Sequence, residues 1–130
     1  MISLDLTSVT KIYKCFSDEA RVRILYLIFK AEEMCISDLE LILDYTQTKT
    51  SRHLIYLKNA GILNFKKVDQ WVYYFISNDN KKIVGDLLHY FEKNELLRKD
   101  LYEYRTLYSN SELAIRKLHT KQKKFKLPNL

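Results

Sequence analysis

Residues 44–76 read DYTQTKTSRHLIYLKNAGILNFKKVDQWVYYFI, and a change of period inside them decides the fold. In the first half Thr50, Leu54 and Leu57 recur at helical spacing and mark the inner face of a helix. Thr46 can cap its start. Ala60-Gly61 can end it, because glycine takes the left-handed position past a helix end without a Cβ clash. The pattern then becomes two runs, residues 62–67 and 71–76, rich in β-branched and aromatic side chains around the polar turn Val68-Asp69-Gln70. That is a two-stranded hairpin. The turn lacks glycine, so its type stays open.

Upstream, Ser37-Asp38-Leu39-Glu40 has the spacing of a capping box and opens a short helix through Leu39, Ile42 and Leu43. Asp44-Tyr45-Thr46 joins that helix to the next. Earlier still, Asp18 can cap a helix carrying Ala20, Ile24, Leu27 and Ile28 to about Ala31. Residues 7–16 read as a first helix with Val9, Ile12, Tyr13 and Phe16 on one side. Short helices, a tight turn and then a hairpin form the order of a winged helix-turn-helix. The expected fold class is mainly α with a small β-hairpin. The helix after Thr46 is its recognition helix and the hairpin its wing.

Downstream, Ile83, Leu87, Tyr90, Asn94, Leu97, Leu101, Tyr104 and Tyr108 alternate by four and three. This heptad seam has one polar member and seeks a partner helix. The stripe is too long for so small a body to cover, so a homodimer is expected, with Leu87, Tyr90, Asn94, Leu97, Leu101 and Tyr104 at the interface. The other reading packs the stripe on its own domain. Ser109 and Glu112 offer a second capping box, from which a helix restarts through Leu113, Ile115 and Leu118. The last residues, with Pro128, are expected to fray. The expected division is therefore a winged domain over 1–78, a long dimerisation helix over 79–108, and a C-terminal helix with a basic tail over 109–130.

Composition agrees. With 2 Gly and 1 Pro in 130 residues, hairpin-rich sandwiches and low-complexity chains are excluded. The longest apolar runs, residues 24–29 and 71–76, are far short of the ~20 residues a membrane span needs, so no membrane association is expected. The first residues show no signal-peptide pattern. Two cysteines in such a chain suit a reducing, cytoplasmic setting without a structural disulfide.

The net charge of +6 is unevenly placed. Six of the 22 basic residues lie in 116–130, which hold no acid, and residues 1–115 carry 16 bases against 16 acids. Within that neutral body, residues 46–68 carry Lys49, Arg52, Lys58, Lys66 and Lys67 and no acid. The rest of the body therefore sums to −5. Clustered positive charge on a recognition helix and wing is the footprint of a phosphate-bearing partner, here double-stranded operator DNA. Gln47, Thr48, Lys49, Ser51 and Arg52 lie near the helix start, where base edges are read, with His53 beside them. Gln suits adenine, and Arg or Lys suits guanine. Lys58, Lys66 and Lys67 are placed for phosphates.

The ordered set resembles the arsenic-repressor (ArsR/SmtB) family of bacterial regulators. Residues 16–25, FSDEARVRIL, are similar to the family's LSDPTRLRIL opening. Residues 33–39, EMCISDL, are similar to its ELCVCDL segment. Thr50-Ser51-Arg52-His53-Leu54, Leu57-Lys58-Asn59-Ala60-Gly61-Ile62 and Trp71-Val72-Tyr73-Tyr74 are similar to its recognition helix and wing. The resemblance covers residues 10–76. It implies a homodimeric repressor whose operator binding weakens when an inducer binds.

The family's arsenic sensors carry three thiols in a CVCDLC run. Here the first position is Cys35, but the second is Ser37 and the third Glu40. A trigonal thiolate site cannot be built from this run alone, although a thiophilic metalloid at Cys35 stays open, with Cys15 as a second thiol. The core-residue reading of both cysteines stands beside it. Ser37 is accounted for as a cap. The family's zinc-type site needs paired histidines on the long helix. That helix offers only His89 with Asp79, Asp86, Glu92 and Glu95, so no such site is expected.

The sequence thus predicts a DNA-binding transcriptional regulator, a repressor released by an effector such as arsenite or an oxidant. The rival is a winged-helix protein-interaction module that binds no DNA. No nucleophile–base pairing, Gly-rich phosphate loop or HExxH motif is present, so an enzyme is not expected.

Overall fold

The computed structural model describes the backbone of residues 5–126 and the side chains of residues 5–122. The expected fraying around Pro128 lies outside the described residues. Seven α-helices and one three-stranded sheet occur among them.

Helix α1 (Leu6–Cys15) opens on Asp5, whose carboxylate accepts from Ser8 N at 2.7 Å. Helix α2 (Glu19–Ala31) opens on Asp18, which accepts from Ala20 N and Arg21 N. Arg21 reaches back and donates to the carbonyls of Lys14 and Cys15, satisfying the orphan acceptors at the end of α1. Helix α2 is the central element: Ile24, Leu25, Leu27 and Ile28 are fully buried.

A short strand β1 (Met34–Cys35), not anticipated from the sequence, leads into α3 (Ile36–Leu43). Asp44 takes the left-handed conformation at φ 56° and ends α3. Thr46 then caps α4 (Gln47–Asn59) by accepting from Lys49 N at 3.1 Å. Gly61 at φ 81° closes α4 in a Schellman arrangement, with Ile62 N bonded to Leu57 O and Gly61 N to Lys58 O. Ile62 and Leu57, both fully buried, supply its hydrophobic contact.

Strands β2 (Leu63–Val68) and β3 (Trp71–Ile76) form the hairpin around a two-residue turn, with Asp69 at φ 56°. β1 pairs antiparallel with β3, giving the order β1-β3-β2. Ser77 Oγ and Asn80 Nδ2 both donate to Gly61 O, fixing the hairpin's exit to the end of α4.

The expected single helix over 79–108 is two helices, α5 (Lys81–His89) and α6 (Glu95–Ser109). Asn94 is not a polar member of a seam. Its Oδ1 accepts from Leu96 N and Leu97 N, which makes it the N-cap of α6. Asparagine competes with the helix by local hydrogen bonding, so here it starts a helix rather than continuing one.

Two expected capping boxes also differ. Helix α3 begins after Cys35 with no side-chain cap bond, and Ser37 Oγ sits 3.2 Å from Cys35 Sγ. Ser109 is the last residue of α6, not the cap of the next helix. That helix, α7 (Ala114–Lys126), is instead capped from a distance. The buried Asp38 carboxylate accepts from Ala114 N at 2.8 Å and Ile115 N at 2.9 Å. Tyr73 Oη donates to Ala114 O, and Leu113, Ile115 and Leu118 are buried. The first half of α7 therefore packs on the winged body, against α3 and β1.

Candidate nucleic-acid interface

Helix α4 has two faces with opposite tasks. Thr50, His53, Leu54 and Leu57 point inward and are buried. Thr50 spends its hydroxyl on Thr46 O at 2.8 Å, so it adds nothing polar to the surface. The outward row is Thr48, Ser51, Arg52 and Ile55, spaced i, i+3, i+4, i+7, with Gln47 beside it. These five line one open depression of about 470 Å³. Gln47, Thr48, Arg52 and Ile55 are exposed and Ser51 is half-buried.

The basic residues divide into committed and uncommitted. Lys49 sits with its ammonium 4.0 Å from the centre of the Tyr45 ring. Lys58 lies 4.6 Å over the Phe65 ring. Both keep their charge available while their position is set by an aromatic face. Lys66 pairs with Glu33 at 2.6 Å, so its charge is largely neutralised within the chain. Lys67, one residue along β2, is exposed. Beyond the wing, Lys121 of α7 bonds Asp69 in the hairpin turn at 3.0 Å. The side chains of Lys123, Lys124 and Lys126 lie outside the described residues.

His53 is 5 % exposed and lies on the inner face of α4. Burial pushes its pKa below the ordinary 6.5 and outweighs the pull of Asp18; Arg52, Arg21 and Lys49 push the same way as burial. Arg52, its neighbour in the chain, is exposed, because successive helical residues point about 100° apart.

Behind α4, a part-buried network fixes the helix-turn-helix turn. Arg23 of α2 donates from Nε and Nη2 to the Asp100 carboxylate of α6, both at 2.9 Å. Its Nη1 donates to Tyr45 Oη at 3.0 Å. The Asp100 bond holds the guanidinium's pKa above its ordinary value. Thus α6, α2 and the turn before α4 share one ion-paired anchor.

Of the interface expected for a partner chain, Leu97 is buried within its own subunit. Leu87, Leu101 and Tyr104 are half-covered by the chain's own core. Tyr90 is 83 % exposed, and Asn94 is exposed while capping α6. The seam's period served the intramolecular packing of α6 on α2 and α3 first.

Both cysteines are buried as thiols. Burial pushes Cys15 up to about 11 and Cys35 up as well. Near Cys35 lie Ser37, a poor soft-metal ligand, and Asp38, whose oxygens are taken by α7. No group of three or more His, Cys, Asp or Glu side chains converges among the described residues. The donors present in one chain therefore do not fit a chelated metal or metalloid. His89 pairs with Glu92 at 3.0 Å, and His119 with Tyr108 Oη at 2.9 Å. No helix among the described residues is long and apolar enough to cross a membrane.

Helices α3 and α4 with their turn, backed by α2 and flanked by the β2–β3 hairpin, define the winged helix-turn-helix class. Residues 18–64 match the family described as bacterial regulatory protein, arsR family. The arsenic resistance transcriptional regulator ArsR1 of Pseudomonas putida is 43% identical over 63 residues, 48% of this chain and 49% of that protein. ArsR2 of the same organism, also an arsenic resistance regulator, is 36% identical over 77 residues, 59% of this chain and 67% of that protein. Among solved structures, HlyU from Vibrio cholerae superposes with a TM-score of 0.60 at 26% identity, covering 70% of this chain and 98% of that one. The chain belongs to the arsR family. It spans about half the length of ArsR1 in that match.

Three features of this region are not anticipated from the sequence: the exposure of Ile55 in the α4 depression, the Asp38 cap and the Arg23–Asp100 pair. Ile55 had a signal: it falls on the polar side of α4 at helical spacing from Thr48. The other two had none, since their partners lie 76 and 77 residues away.

Proposed function

We propose that this chain is a sequence-specific DNA-binding transcriptional regulator acting as a homodimer, a repressor released by an effector. The observation that carries the reading is the outward row of α4, polar or basic at Gln47, Thr48, Ser51 and Arg52 and free of acids along the whole helix. A helix so presented enters the major groove with those side chains at base edges. Lys49, Lys58 and Lys67 flank it for phosphates, and Lys66 contributes less because Glu33 holds it. The winged body over 1–78 carries the reading surface in this account.

For dimerisation, support comes from apolar side chains left exposed: Leu6 and Tyr13 on α1, Tyr90 and Phe91 at the α5–α6 junction, and Tyr102 on α6. Phe16 at the end of α1 and Phe91 line one cleft, which places these two regions side by side. Sedimentation equilibrium tests this, with a dimer expected and a monomer at micromolar concentration excluding it.

The effector reading rests on Cys35 and on relatives whose names record arsenic resistance. A buried thiol with a raised pKa is mostly protonated and reacts slowly. Any thiophilic effector would therefore need α7 to loosen, or thiols from a second subunit. Cys35→Ser should keep DNA affinity and abolish release by arsenite; release that persists removes Cys35 from sensing.

The decisive experiment is selection from a random duplex pool, followed by anisotropy titration of the enriched duplex. Arg52→Ala should weaken specific binding by ~1–3 kcal/mol if Arg52 reads a base. A pool that yields no enriched motif favours the rival, a protein-interaction module.

A further inference from the structure

The outward row of α4 contains one residue that polar recognition does not explain. Ile55 is 53 % exposed in the middle of a hydrophilic helix face. It is not part of the hydrophobic core or of the half-buried shell around it. A β-branched residue at an exposed helical position is also a mildly poor helix former. Neither local propensity nor packing within the chain accounts for it.

Other exposed apolar side chains on this part of the molecule differ. Tyr56 is covered by the Arg21 guanidinium, 4.1 Å from its ring centre. Phe65 carries Lys58 and packs near Tyr74. Leu41 projects from α3, outside the row. Ile55 alone among them shares a depression with Gln47, Thr48, Ser51 and Arg52.

We propose that Ile55 is a specificity-determining residue that contacts the 5-methyl group of a thymine in the major groove. The inference rests on the DNA-binding reading above and deepens it. Thymine is the one base whose major-groove edge carries an apolar group, and apolar side chains recognise it by contact. The spacing i, i+3, i+4, i+7 from Thr48 to Ile55 is the spacing by which a recognition helix reads one groove. Seven residues rise about 10.5 Å. That is about three base steps at ~3.4 Å each. Ile55 therefore reads a base about three steps from the one nearest Thr48, when the helix runs along the groove. Arg52 and Ser51 fall between them.

The test uses the full chain and the duplex it enriches from a random pool. Each thymine of that duplex is replaced in turn by deoxyuridine, which removes only the methyl group. For the unmodified protein, one position per half-site should raise Kd about fourfold, the worth of one buried methyl. For Ile55→Ala, affinity for the thymine duplex should fall similarly, and the uracil substitution at that position should have no further effect. Melting temperatures of the two proteins should agree, because Ile55 is half-exposed. Ile55→Val should retain most of the discrimination.

A flat deoxyuridine scan with the unmodified protein overturns the role of Ile55 and leaves DNA binding standing. Discrimination that persists in Ile55→Ala assigns the methyl contact to another residue, such as Thr48, and likewise overturns it. A pool that enriches no duplex removes the DNA reading itself and this inference with it.

Discussion

The N-termini of α4 and α7 are both capped by side-chain oxygens, and they have opposite fates. Helix α4 is capped by Thr46, its own neighbour, and its first turn faces solvent. Helix α7 is capped by Asp38, from α3, and its first two residues, Ala114 and Ile115, are buried. The local cap needs no other part of the fold and leaves the helix end open to a partner. The distant cap closes the end and fastens one segment to another. The difference separates an open helix end from a joint between two segments.

The largest expected effect breaks the joint. Asp38→Ala orphans two buried N–H groups and removes the negative charge from the N-terminal end of α7. We expect a loss of about 4 kcal/mol in urea unfolding, summed from two unsatisfied donors and the lost charge interaction. Asp38→Asn keeps one acceptor and should lose less than half as much. Equal stability of Asp38→Ala and the parent would show that α7 is held by its apolar residues alone. The thiol reactivity of Cys35 should rise in the same variant, since Cys35 adjoins this cap.

Next comes the anchor behind the turn. Asp100→Ala leaves the Arg23 guanidinium without its bidentate partner in a site where Asp100 itself is 3 % exposed. Breaking a buried pair costs several kcal/mol, and the part-exposure of Arg23 lets water recover some of that, so about 2–3 kcal/mol is expected. Hydrogen exchange should quicken in the amides around Tyr45, because Arg23 also holds its hydroxyl. Tyr45→Phe isolates that bond and should cost about 1 kcal/mol.

The local cap is the smaller lever on stability. Thr46→Ala should cost about 1 kcal/mol, and Thr46→Ser little. Its effect should stay local: exchange at Lys49 N rises while α7 is untouched. A Thr46→Ala loss as large as that of Asp38→Ala would erase the distinction between open end and joint.

The same distinction governs what could be read from the chain alone. Asp18, Thr46, Asp44 and Gly61 act on residues within a few positions, so their roles follow from spacing and from the conformations each residue tolerates. The hairpin was legible for the same reason. Helix α7's cap was not, because the backbone donors lie 76 and 77 residues from the acceptor. The strand β1 was too short to carry a period, and it exists because β3 offers it a partner edge. The seam from Leu87 to Tyr104 reads as one helix seeking a partner helix, with packing on its own domain as the alternative. Its period was real, yet Asn94 interrupts it and α2 absorbs its inner side. On α4, residue type and helical spacing put Gln47 and Arg52 on the exposed side, where both lie. His53 shows the limit: the residue type invited a contact, and helical phase turned it inward.

The smallest expected effect tests that inward turn. His53 is a base whose pKa in the folded chain lies below its ordinary 6.5, chiefly through burial. In the unfolded chain it takes up a proton first as pH falls. Its contribution to stability is thus complete above about pH 6.5 and is lost as pH falls through the depressed folded value. Melting temperature should therefore decline, as pH falls below about 6.5, more steeply in the parent than in His53→Gln, which has no proton to bind. If instead His53 pointed outward beside Arg52, the two proteins would show parallel pH profiles, and DNA affinity would change with the substitution. An unchanged melting profile together with weakened DNA binding would return His53 to the reading surface.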